Sequence, residues 1–224
     1  MSKSTNATPT RLLQQMLVPV ERLYASATSG PAAAVAMMHL AARHLSDQRA
    51  TVPQAGRGAR MPACRYLEQA FALAVKGPLA ELAAAFATAQ PAIDWGQNPN
   101  YTAAAMGGTF VDRYCYTEPV GIGRAFESAE FLVGFILLGP GMLYPDHLHP
   151  AAEVYHVISG HAEWWREARD WHVAAPGAMI YHAPNVRHAM RMGDEPLLAL
   201  YCWGGDIAVR ARLTKPEDIE EART

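Results

Sequence analysis

The segments EFLVGFILLG, EVYHVISG, HAEWWRE, DWHVAAPG, AMIYHAP, VRHAMRM and PLLALYCWGG, all after residue 129, set the tightest limit on the fold of this chain. Each is short and rich in β-branched and aromatic residues, and glycine, proline or aspartate separates one from the next. Strands joined by tight turns read this way, so the spacing predicts a compact antiparallel sandwich or barrel.

Composition changes near residue 100. Before it, LLQQMLV, PAAAVAMMHLAARHL, ARMPACRYLEQAFALAV and PLAELAAAFATAQ carry helix formers with apolar residues three and four apart. Three or four helices are expected there, with Pro31 and Pro78 in or near first turns and SDQRATVPQAGRGAR as a loop. At the other end TKPEDIEEAR reads as a short helix with Thr214 as its cap. The expected organisation is a helical region over 1–100 packing on the barrel, a β-barrel with a metal site over 101–212, and a C-terminal helix over 213–224.

With 224 residues, half of them hydrophobic, the chain can bury one sizeable core. A net charge of -2 gives no electrostatic footprint for nucleic acid or anionic lipid, so a small molecule is the expected partner. The longest apolar run, FLVGFILLG, is too short to cross a bilayer as a helix, and the N-terminus lacks the apolar core of a signal peptide. Three widely spaced cysteines, Cys64, Cys115 and Cys202, form no disulfide framework and suit a reducing compartment. The expectation is a cytoplasmic protein whose Ala-rich helices cover a barrel end, act as a lid or form a homodimer surface.

Chemistry concentrates in GMLYPDHLHPAAEVYHVISG, residues 141–160. Its spacing is Gly141-x5-His147-x-His149-x3-Glu153-x6-Gly160, and on a strand His147 and His149 point to one side. A second segment runs from Gly177 to His188, with Pro184 before the histidine, and can bring a further imidazole from a neighbouring strand. Imidazoles and one carboxylate that leave positions open make a catalytic-type site for one divalent first-row metal: Mn, Fe, Co, Ni or Zn. Tyr144 and Tyr155 can reach the same cavity, where a nearby cation favours the phenolate. His156, alternating with Glu153 and Tyr155, points the other way; His161 and His172 read as surface or packing residues, and His182 is open to a pocket role.

The first segment matches the first cupin motif at its defining positions, and the second resembles the second motif with one departure. Pro184 is one residue late and the usual glycine after it is replaced, giving PNVRH. The resemblance implies a mainly β fold, a cupin barrel of the double-stranded β-helix or jelly-roll kind over roughly 105–212, preceded by an α-helical region. The pattern Tyr144-x4-His149-x3-Glu153-x-Tyr155, followed by His188 and Trp203, further resembles the bacterial cupin lyases that cleave dimethylsulfoniopropionate, most like the DddL type. That resemblance implies that His149, Glu153 and His188 hold the metal, that His147 or Tyr155 completes or supports its shell, that Tyr144 is the base and that Trp203 lines the substrate pocket. Tyr181, Tyr201 and one of Trp164 and Trp165 are further aromatic candidates for the substrate's sulfonium. Two other functions are compatible with the residues: a cupin Fe(II) dioxygenase, and a non-catalytic cupin that binds a small ligand.

Overall fold

The computed structural model describes residues 8–167, 169–216 and 218. Its first part is helical, with α1 (Pro9–Ala25), α2 (Ala32–Arg49), α3 (Leu67–Ala74) and α4 (Ala80–Ala89). Thr8 caps α1 through a hydroxyl that accepts from the Arg11 amide, and Pro9 occupies the first turn, where its missing N–H costs nothing. Pro31 takes the cap position of α2, and Pro78 lies two residues before α4. Leu13, Met16, Leu17, Val20 and Tyr24 make the buried face of α1 at helical spacing.

Strand β1 (Trp95–Gly96) and two short helices, α5 (Ala103–Met106) and α6 (Gly108–Arg113), lead into the barrel. The strands that follow are β2 (Tyr114–Gly121), β3 (Phe126–Glu127), β4 (Phe131–Leu138), β5 (Leu143–Leu148), β6 (Ala152–Ser159) and β7 (Ala162–Arg166). They continue with β8 (His172–Ala174), β9 (Met179–His182), β10 (His188–Met192), β11 (Leu197–Gly204) and β12 (Arg212–Leu213). One sheet runs β1-β2-β4-β11-β6-β9, with β3 added in parallel beside β2, and the other runs β12-β5-β10-β7-β8. The two sheets face each other as the expected cupin barrel.

Why β4 is apolar at every position follows from what covers it. Val133, Phe135 and Leu137 point outward into the cluster formed with the helices, whereas Leu132, Ile136 and Leu138 point between the sheets. The strand is buried on both faces and alternation disappears. Phe86 of α4 stacks on Phe135 at 3.7 Å and 9°, fixing the helical layer to this sheet. The same division runs through β6, where Val154 and Ile158 meet the helices and Tyr155 and Val157 face inward. His156 lies on the helix side, 5.7 Å from the Tyr24 ring, as its alternation with Glu153 and Tyr155 predicts.

Gly160 closes the β6–β7 turn with φ +79, and a Cβ there would stand 2.2 Å from the Pro196 carbonyl oxygen, so the motif needs glycine. In the departing PNVRH segment Asn185 adopts φ +61, the left-handed conformation that asparagine tolerates better than most residues. Its amide donates to the His149 carbonyl at 2.9 Å, tying the second motif to the first. The closing helix expected over 213–224 falls mostly on residues 217 and 219–224, outside the described residues; Leu213 itself belongs to β12. No helix among the described residues is long and apolar enough to cross a membrane.

Candidate metal centre and cavity

His149, at the end of β5, Glu153 on β6 and His188 on β10 converge in the barrel interior, all buried. Their ligand atoms lie within 4.8 Å of one another. Glu153 Oε2 is 3.2 Å from His149 Nε2 and 3.4 Å from His188 Nε2. The other nitrogens are committed: His149 Nδ1 meets the Ala151 carbonyl at 3.0 Å and His188 Nδ1 the Val186 carbonyl at 2.8 Å. A carbonyl only accepts, so each Nδ1 carries a proton and each Nε2 is the nitrogen turned toward Glu153. In the neutral imidazoles that a metal requires, two lone pairs and a carboxylate oxygen would face one another with a cation among them. His188 Nε2 is buried without a hydrogen-bond partner, which is the state of a metal ligand rather than of a packed histidine. The donor set fits a single divalent transition metal.

Burial pushes the Glu153 carboxyl up, but the imidazoles of His149 and His188 beside it outweigh this and hold the group well below the usual carboxylate range. Its other oxygen accepts from Trp203 Nε1 at 2.6 Å, and the Trp203 ring stacks on His149 at 4.1 Å. Trp203 is the register partner of Glu153 in the β6–β11 pair, which explains the reach. His147 stands beside the three: its Nδ1 meets the Pro145 carbonyl at 2.8 Å, and its ring lies 4.1 Å from both Tyr144 and His188. Burial, then the neighbouring His188 imidazole, hold its imidazole well below the usual histidine range.

Tyr144, Tyr155, Tyr201, Trp203 and Glu153 line one cavity of about 250 Å³, together with Tyr114, Tyr116 and Glu118 of β2. Tyr144 is stacked nearly parallel to His147 and donates to the Tyr101 hydroxyl at 3.4 Å. Burial, then the neighbouring phenols, push Tyr144 well above the ordinary phenol range; burial and the Glu153 charge do the same to Tyr155. With protein groups alone, neither ionises near neutral pH.

Of the remaining aromatic candidates, Trp164 faces inward beside Tyr155, at 5.0 Å, whereas Trp165 lies under the Arg187 guanidinium. Tyr181 is paired with Val154 and packs against the helix-side cluster, away from the cavity lining. His182 stacks on His188 at 4.0 Å, with both ring nitrogens buried and unpartnered. Sequence reasoning passed over Tyr101, Tyr114, Tyr116 and Glu118. The last three alternate in YCYTEP, a period-two signal for one strand face that was present in the sequence.

A family model described as dimethylsulfoniopropionate lyase matches residues 36–199. Among curated proteins, dimethylsulfoniopropionate lyase DddQ of Ruegeria pomeroyi is 33% identical over 117 residues, covering 52% of this chain and 58% of that protein. A protein of Cereibacter sphaeroides with the provisional name dimethylsulfoniopropionate lyase DddL is 28% identical over 156 residues, covering 69% of this chain and 63% of that protein. These matches thus span about three fifths of the length of each curated relative. The crystal structure of DddQ from Ruegeria pomeroyi superposes with a TM-score of 0.71 at 25% identity, covering 92% of this chain and 98% of that one. A structure reported with the dimethylsulfoniopropionate lyases RdDddP and RnDddQII has the same fold, with a TM-score of 0.69 at 22% identity, covering 93% of this chain and 100% of that one. The chain belongs to the dimethylsulfoniopropionate lyase family.

Proposed function

We propose that this chain cleaves dimethylsulfoniopropionate to dimethyl sulfide and acrylate by β-elimination. The observation that carries the reading is that the buried, converging ligand atoms of His149, Glu153 and His188 stand beside a cavity that Tyr144 lines. His149, Glu153 and His188 would hold the metal, with Tyr155 or His147 supporting it. A divalent cation there supplies positive charge that favours a carboxylate ligand, enolate-like charge and the ionised form of a nearby phenol.

Tyr144 takes the proton from the carbon next to the substrate carboxylate. As that C–H bond breaks, its electron pair forms the double bond between the two central carbons, and the C–S pair leaves on sulfur, releasing neutral dimethyl sulfide. Stacking on His147 fixes the Tyr144 ring, and the Tyr101 hydroxyl can turn to donate to the phenolate oxygen. Aromatic walls keep bulk water from the developing charge.

Tyr144→Phe tests the assignment, because it keeps the ring's packing and removes only the hydroxyl. Fold and metal content should survive while dimethyl sulfide release falls by about 10²- to 10⁴-fold. Exchange of the substrate's α-proton in deuterated water, followed by NMR on an analogue that cannot expel its leaving group, should fall in parallel. Equal exchange in wild type and Tyr144→Phe would assign the base to another group. Oxygen consumption without dimethyl sulfide release would favour the dioxygenase instead.

A further inference from the structure

Glu118 is the only carboxylate besides Glu153 among the residues lining the cavity. Its side chain is 8% exposed, against 34% for Arg124, which pairs with its Oε2. Both side chains line the cavity, and water screens the more exposed guanidinium more than it screens the carboxylate. Oε1 accepts the Tyr201 hydroxyl at 3.0 Å. Tyr201 belongs to β11 and Glu118 to β2, with β4 between them. The phenol crosses β4 over Gly134, its register partner, where a Cβ would stand 2.4 Å from the ring. A single glycine in an otherwise bulky strand thereby lets a hydroxyl hold a carboxylate two strands away.

Glu153 on β6 and Glu118 on β2 are three strand steps apart in the same sheet, about 14 Å between backbones, and both side chains reach into one cavity. A small zwitterion whose carboxylate is held at the Glu153 end extends its cationic end toward the other wall. Tyr116 and Tyr201 line that wall with Arg124 and Arg210, and Glu118, ion-paired to Arg124, is its carboxylate.

We propose that Glu118, held by Tyr201 over Gly134, is the anionic partner of the substrate's cationic group and makes the cavity select a zwitterion over a neutral-ended carboxylate of the same shape. This rests on the elimination reading above.

The test is calorimetric titration of metal-loaded protein with two ligands that do not turn over. 4-Methylpentanoate replaces the sulfonium sulfur by carbon, and N,N-dimethyl-β-alanine replaces it by a protonated nitrogen. Wild type should bind the cationic ligand about tenfold more tightly than the neutral one. Glu118→Gln should reduce that preference to near unity while leaving 4-methylpentanoate within about twofold. Tyr201→Phe keeps the ring over Gly134 and removes the hydroxyl, so it should lose part of the preference; it carries the test if Glu118→Gln does not fold. An unchanged preference in Glu118→Gln, or in Tyr201→Phe when that variant stands alone, overturns the inference. A wild type that discriminates but releases no dimethyl sulfide refutes the elimination and not the cation site. One that cleaves the substrate with the preference intact in the variants does the reverse.

Discussion

Trp203 shows how one side chain can serve two partners. Its indole N–H donates to Glu153 while its ring lies against His149, so it orients both groups from outside the metal cluster. Trp203→Phe keeps a ring over His149 and removes the donor, and metal affinity measured by competition with a chelator should fall about 10- to 100-fold. A second residue-scale prediction concerns Cys64, half-buried with its Sγ 4.0 Å from that of Cys115. The Cys115 hydrogen bond, aided by the Met61 backbone and Arg60 and opposed by burial, lowers the thiol to about 6. The thiolate is the reactive form, so iodoacetamide labelling of Cys64 should rise through this range and level off, whereas an ordinary thiol still climbs near ~8.5. Cys115→Ala should move the profile to higher pH, as read by mass spectrometry of the labelled peptide.

Individual elements here are defined by what lies on both of their sides. Strand β4 carries helix-facing and barrel-facing residues in strict alternation, and Phe86 of α4 stacks on Phe135 across that layer boundary. Phe86 is fully buried, so Phe86→Ala should cost about 3–5 kcal/mol, seen as a lower urea midpoint with an unchanged slope. The β9–β10 turn carries the replaced glycine of the second cupin motif. Because Asn185 reaches φ +61 and donates to the His149 carbonyl, the substitution keeps both the turn and the tie between motifs.

At the scale of the molecule, the candidate metal-ligand cluster of His149, Glu153 and His188 joins β5, β6 and β10 and so links both sheets. A cation bound only by the folded state adds ~2.7 kcal/mol when present at about a hundred times its Kd. For a chain of this size that corresponds to roughly 5–10 °C in Tm. Chelation should therefore lower the thermal midpoint of wild type by about this amount, and His188→Ala should show a low midpoint that chelation no longer changes. Equal chelator effects in both proteins would place the stabilising ion elsewhere.

Periodicity and spacing in the sequence were enough to determine the strand-rich barrel, the helical region before it, and the separation of Glu153 and Tyr155 from His156. These depend on local rules: side chains alternate along a strand, and glycine is required where φ is positive. The spacing within the two cupin-like segments brought His149, Glu153 and His188 together as candidates, although Glu153 lies on β6 and His188 on β10 of the other sheet. Tertiary structure alone decided that Trp203 donates to Glu153, that Tyr181 packs toward the helices, and that Tyr101 meets Tyr144. It also decided that Tyr201 crosses Gly134 to Glu118. Each of these depends on the order β2-β4-β11-β6-β9 and its register, or on a loop folded over the barrel. The partners lie up to 83 positions apart, and their meeting is set by how whole sheets and helices bury their faces, which no window of sequence contains.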